Sequence, residues 1–150
     1  MKKYLKRFRT VRAMSREEKK IYRRALRLLV NVRLRMVFTS FPKVLAWVRK
    51  QSPVVASVTC LNPDRLSWMI NSTGIAFPRI FKCLPRALAG FIVLRRCGWE
   101  VTLKIGARRR HPSLPMEAHA WLEREGTVIM GDLFGLEKFA VFESFEGEYL

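Results

Sequence analysis

The 150-residue chain is poor in several residue types, and each shortage excludes a class of protein. Cysteine occurs only at Cys60, Cys83 and Cys97. An odd number without paired spacing gives neither a disulfide framework nor a zinc site. Two histidines, His111 and His119, make a His-rich metal centre an unexpected feature, and the cysteine chemistry read below needs no metal or organic cofactor. Long apolar runs are missing too. Stretches such as Ala87–Leu94 are far shorter than a membrane span. Met1–Thr10 is basic, but the apolar segment of a secretory signal does not follow it. A cytoplasmic protein is therefore expected.

What is present is a core and a large excess of positive charge. Apolar residues make up 49% of the chain, enough for one domain, or one domain plus an arm, and too many for a disordered tail. The formal charge of +17 is unevenly placed. Residues 1–50 hold 17 Lys and Arg against two Glu, whereas residues 111–150 hold two basic side chains against eight acidic ones. Such a basic arm attracts polyanions by counterion release and field steering. Nucleic acid, an anionic membrane surface and an acidic protein all fit, as does a solvated Lys/Arg helix face. Zinc-finger spacing, an RNP-type strand and basic-region heptads are all missing, so no specific nucleic acid is indicated.

Local patterns predict helices first and antiparallel strands after them, an α+β order. Ser15-Arg16-Glu17-Glu18 forms a capping box, and Ile21, Ala25, Leu28, Leu29, Val32 and Met36 behind it share a helical face. Pro42 opens a short helix that Ser52-Pro53 closes. Asn62-Pro63-Asp64 starts another, which ends near Thr73-Gly74. Cys83-Leu84-Pro85-Arg86 begins a fourth, which Gly98 ends. The period then changes to two, with Trp99, Val101, Leu103 and Ile105 alternating with Glu100, Thr102 and Lys104, predicting a strand. A basic loop through Arg108-Arg109-Arg110 leads to strands at Ala118–Arg124 and Thr127–Met130, joined by Glu125-Gly126. Phe134–Phe142 fits a helix or a further strand.

The chemistry centres on Cys83. A cysteine hydrolase needs a thiol, an imidazole to take its proton and a group that orients the imidazole. Cys83 stands at a helix start, where the dipole favours a thiolate. Cys60 is two residues ahead of its helix cap, and Cys97 lies at a helix C-terminus, where the dipole opposes a thiolate. In a hairpin with a two-residue Glu125-Gly126 loop, Arg124 pairs with Thr127, Leu122 with Ile129, Trp121 with Met130 and His119 with Asp132. The last pair would then stand about 5 Å apart at Cβ, suiting an Asp that fixes the His tautomer. The turn requires φ > 0 at Glu125, and a one-residue change of register would break the match. An inert buried thiol and a coincidental surface pair remain the alternative.

These residues resemble a known family. The stretches Cys83-Leu84-Pro85-Arg86-Ala87-Leu88-Ala89, Leu94-Arg95-Arg96-Cys97-Gly98, Leu103-Lys104-Ile105-Gly106-Ala107-Arg108 and His119-Ala120-Trp121-Leu122-Glu123, with Asp132, are similar to the leader peptidase of lasso-peptide biosynthesis (B2-type maturation protein). That family is a transglutaminase-like cysteine protease, and the likeness covers roughly residues 62–135. It implies a papain-like core, a nucleophile helix packed on a small antiparallel sheet, behind N-terminal amphipathic helices. Residues 1–53 would form a basic helical region and residues 54–150 the protease domain. It implies Cys83 as nucleophile, His119 as general base and acid, and Asp132 as the orienting acid. The implied substrate is a ribosomally made precursor, cut between leader and core. The implied partners are a leader-recognition protein and a lactam-forming cyclase. Two other classes stay open: a basic nucleic-acid- or protein-binding module without catalysis, and an acyl transferase on the same three residues.

Overall fold

The computed structural model describes residues 13–51, 62–76 and 79–145. Cys60, the Ser52-Pro53 stop and the expected boundary between residues 53 and 54 lie outside them. Among the described residues four helices precede the strands: α1 (Arg16–Phe38), α2 (Phe41–Gln51), α3 (Pro63–Ala76) and α4 (Cys83–Arg96). Four strands follow: β1 (Thr102–Arg108), β2 (Glu117–Arg124), β3 (Thr127–Met130) and β4 (Ala140–Phe145). A single 3-10 turn, Leu136–Lys138, precedes β4, so the ambiguous Phe134–Phe142 stretch is partly helical and then extended. The fold is α+β.

The helix starts follow from their local chemistry. At α1 the Ser15 hydroxyl accepts from the Glu18 amide at 3.1 Å while Glu18 Oε2 accepts from the Ser15 amide at 2.9 Å. Both orphan donors are thereby satisfied. The second Glu18 oxygen receives Arg65 at 3.0 Å and so ties α3 to α1. At α3 the Asn62 side chain accepts from the Asp64 amide at 2.8 Å. At the far end of α4, Arg96 donates to the Gln51 carbonyl at 2.7 Å and fastens α4 to the end of α2. Gly98 follows α4 with φ 79°, the left-handed turn that only glycine adopts without strain.

Apolar periodicity assembles these elements around α4. Ala25, Leu29 and Val32 of α1, Val44 and Val48 of α2, and Leu66 and Ile70 of α3 are buried in one cluster with Ala87, Leu88, Phe91, Ile92 and Leu94 of α4. The sheet has the order β3-β2-β1-β4, with antiparallel neighbours throughout. Every second residue of its central strands, Leu103, Ile105, Ala120 and Leu122, joins the same cluster. Burying each such large aliphatic side chain contributes about 1.5–3 kcal/mol. Gly90 permits a close approach of α4 to the sheet. A Cβ there would stand 2.8 Å from Met130 Cε and 2.9 Å from Leu122 Cδ1. Among the described residues no helix is long and apolar enough to cross a membrane.

The hairpin departs from the predicted register. Arg124 does pair with Thr127, and Glu125 has φ 50° beside Gly126 at 77°, as a two-residue loop requires. Beyond Glu123–Val128, however, a bulge intervenes and Leu122 faces Met130 rather than Ile129. The extra residue shifts all later pairs by one. His119 and Asp132 are therefore not cross-strand partners. Their relation is set instead by the chain leaving β3.

Candidate active site

Cys83 is the first residue of α4, and its thiol is only partly accessible. Burial alone would push the thiol up, but three groups more than offset it. The His119 ring hydrogen-bonds the sulfur and adds positive charge, and the backbone amides of Ala120 and Leu84 point at it. The net result holds Cys83 below the ordinary thiol range. His119 responds in kind. Its bond to Cys83 raises its proton affinity, burial opposes this, and the Gly131 carbonyl adds to the rise. The two groups thus favour a thiolate–imidazolium pair, and they titrate as a unit.

The tautomer follows from the second ring nitrogen. His119 Nε2 lies 2.7 Å from the carbonyl oxygen of Gly131. A carbonyl only accepts, so Nε2 carries the proton and Nδ1 holds the lone pair of the neutral ring. That lone pair is what a base needs to take the proton of Cys83. Gly131 directly follows β3 with φ 83°, and a Cβ there would stand 2.9 Å from the Ala120 carbonyl oxygen and 3.1 Å from Trp121 Cα. Only glycine allows this carbonyl to reach the ring.

Aromatic packing fixes the imidazole from its sides. The Trp121 ring lies 6.2 Å away at 16°, and the Phe139 ring 5.8 Å away at 48°. Trp121 is held by its Nε1–H donating to Glu123 Oε1 at 2.7 Å, and Glu123 pairs with Lys104 at 2.6 Å. Phe139 lies under the Arg108 guanidinium at 4.4 Å, and Arg108 in turn binds Glu117 at 2.8 Å and the Gly135 carbonyl at 3.1 Å. Gly106, opposite His119 on β1, leaves room for these rings. A Cβ there would meet Trp121 Cη2 at 3.2 Å and the Ala140 carbonyl at 2.9 Å.

Of the three residues expected from sequence, Cys83 and His119 are brought into contact. Asp132 is one residue beyond the carbonyl that holds the ring; its side chain is exposed and makes no hydrogen bond or ion pair among the described residues. The position next to Nε2 is filled by backbone. Gly131, Trp121 and Phe139 were not identified from the sequence. A carbonyl has no residue-type signal, and the rings depend on tertiary packing. Gly131, standing beside Asp132 at the end of a strand, was the one available hint. Cys97 is at the C-terminal cap of α4, where the dipole disfavours a thiolate, and His111 lies on an exposed loop with its Nδ1 2.7 Å from the Ser113 hydroxyl. Among the described residues no cluster of three His, Cys, Asp or Glu side chains could hold a metal ion.

A partly buried thiol at a helix N-terminus, hydrogen-bonded to a histidine on an antiparallel strand, can perform nucleophilic acyl chemistry. No curated protein and no solved structure matches the chain. A family model described as the transglutaminase-like superfamily matches residues 28–144, spanning the later part of α1, α4 and the sheet. On that match, and with a helix-borne thiol set against a strand-borne imidazole, the chain belongs to the transglutaminase-like superfamily.

Proposed function

We propose that this chain is a cysteine peptidase that removes the leader from a ribosomally synthesised lasso-peptide precursor. The observation that carries the catalytic part is the Cys83–His119 pair, with the tautomer of His119 set by Gly131. The substrate part rests on the Cys-Leu-Pro-Arg-Ala-Leu and His-Ala-Trp-Leu-Glu motifs and their spacing.

In the proposed reaction the Cys83 sulfur attacks the scissile carbonyl carbon, and the Cys83 backbone N–H stabilises the oxyanion. The C–N bond then breaks. Imidazolium His119 gives its proton to the departing amine, which is the new N-terminus of the core peptide. The leader stays on sulfur as a thioester. His119, now neutral, takes a proton from water, whose oxygen attacks the thioester carbon, and the thiolate is released with a leader carboxylate. Asp132 is the acid that steadies the imidazolium through its charge, next to the carbonyl that holds the ring. No cofactor enters these steps.

The partners proposed with this activity are a leader-recognition protein that delivers the precursor and a lactam-forming cyclase that uses the freed amine, all in the cytoplasm. The outer side of α1 is a suitable docking surface. Arg16, Lys20, Arg23 and Arg27 run into Val30, Leu34, Val37 and Phe38 along it, and all eight are exposed. An acidic leader, an acidic protein or an anionic membrane would complement it.

The test is precursor cleavage followed by mass spectrometry, with the leader-recognition protein present. Wild-type protein should yield two fragments whose masses sum to precursor plus one water. Cys83→Ala and His119→Ala should yield none while keeping the wild-type circular dichroism spectrum. Wild-type rates in Cys83→Ala would overturn the reading. A product joined to an added amine would replace hydrolysis by acyl transfer.

A further inference from the structure

Arg86 lies three residues after Cys83 on α4, and its side chain turns back toward the start of the helix. Its Nε donates to the carbonyl of Lys82, the residue before Cys83, at 3.1 Å. Its Nη1 reaches Asn71 Oδ1 on α3 at 3.5 Å. This is an unfavourable end of a helix for a cation, because the unpaired amides there already carry partial positive charge. α1 meets the same condition with Ser15, Glu17 and Glu18. α4 does the opposite. Its N-cap is Lys82, which makes no side-chain cap bond, and its first turn holds no acidic residue. The Lys82 carbonyl and Asn71 hold this half-buried guanidinium at that end through neutral acceptors, and the negative charge that acts on it there is that of Cys83, the residue whose peptide bond Lys82 shares. Burial weakens the hold of Arg86 on its proton, and the charge of Cys83 restores part of it.

We propose that Arg86 is a positioning residue for Cys83: its guanidinium, tethered to Lys82 and Asn71, is a fixed counter-charge to the sulfur anion. This rests on the reading of Cys83 as nucleophile. The other groups that act on the sulfur are His119 and the amides of Ala120 and Leu84. His119 is the stronger partner but titrates; Arg86 stays charged across the working range. Arg86 also repels the imidazolium and lowers the proton affinity of His119. Its charge therefore favours loss of a proton at both groups. Removing it should move both limbs of the pH profile to higher pH, a displacement that loss of packing alone would not produce.

The full chain, with Cys60 and Cys97 changed to Ser, is alkylated at Cys83 across pH 4–9 by neutral iodoacetamide and by anionic iodoacetate. In Arg86→Gln, which keeps hydrogen-bonding capacity without charge, the iodoacetamide rate at about pH 6 should fall roughly three- to tenfold. The iodoacetate-to-iodoacetamide rate ratio should fall as well, and Arg86→Lys should restore most of both. A wild-type profile and ratio in folded Arg86→Gln would overturn the inference while leaving Cys83 as nucleophile. A parent Cys83 that alkylates no faster than a free thiol would overturn both. Should Arg86→Gln fail to fold, Asn71→Ala decides, because it keeps the charge but releases its tether. A smaller shift in the same direction supports the proposal, and an unchanged profile overturns it.

Discussion

His119 donates from Nε2 to the carbonyl oxygen of Gly131 across 2.7 Å, and this one bond leaves the Nδ1 lone pair for Cys83. The group that orients the imidazole is thus a backbone carbonyl held at φ 83°. An exposed carboxylate follows it in the chain.

Gly131→Ala should cost both stability and activity. The added Cβ would stand 2.9 Å from the Ala120 carbonyl oxygen, in a backbone region that alanine rarely adopts. A loss of about 1–3 kcal/mol in urea unfolding is expected. The carbonyl would shift from His119, and kcat/KM for precursor cleavage should fall by roughly tenfold or more. Activity at the wild-type level in the folded variant would show that the bond has no bearing on catalysis.

The Cys83–His119 pair predicts a bell-shaped pH dependence of kcat/KM. Cys83 is held below the ordinary thiol value, so the acid limb should lie below that value. His119 is raised, so the alkaline limb should lie above the ordinary imidazole value. The two members of the pair contribute to stability with opposite pH dependence. The contribution of the raised His119 is present at low pH and is lost as pH rises through its folded value. That of the depressed Cys83 is present at high pH and is lost as pH falls through its folded value. In His119→Ala, alkylation of Cys83 should move toward the free-thiol range. An unmoved alkylation profile would mean that the imidazole does not act on the sulfur.

Asp132→Asn separates charge from geometry. The side chain is exposed and makes no contact among the described residues, so the melting temperature should be nearly unchanged. If Asp132 steadies the imidazolium by its field, kcat should fall by roughly three- to tenfold, with the loss growing at low ionic strength. A rate equal to wild type at every salt concentration would remove Asp132 from the mechanism and leave the Gly131 carbonyl as the orienting group.

The basic outer side of α1 predicts salt-dependent delivery of substrate. Arg23→Glu with Arg27→Glu reverses two exposed charges without touching the core face formed by Ala25, Leu29 and Val32. KM for precursor should rise several-fold at low ionic strength, kcat should hold, and the difference should shrink as salt is added. A KM indifferent to both charge reversal and salt would restrict this side of α1 to keeping the protein soluble.

Much of the fold was legible because local chemistry decided it. Ser15 and Glu18 could only be a capping box, Asn62-Pro63 could only open a helix, and the change from helical period to alternation after Gly98 marked the sheet. The position of Cys83 at a helix start followed from the same rules, and so did its ranking above Cys97. Strand register did not follow. Glu125-Gly126 fixed the loop, but a bulge between Glu123 and Leu122 sets Met130, rather than Ile129, opposite Leu122, where both side chains pack beside Gly90. That is a matter of fit between α4 and the hairpin, and no pattern along the chain encodes it. The same shift decides what stands beside His119. Residue types could nominate a thiol, an imidazole and a carboxylate, since their chemistry is intrinsic. Which oxygen meets Nε2 depends on where the chain turns in space, and tertiary packing gave that place to Gly131.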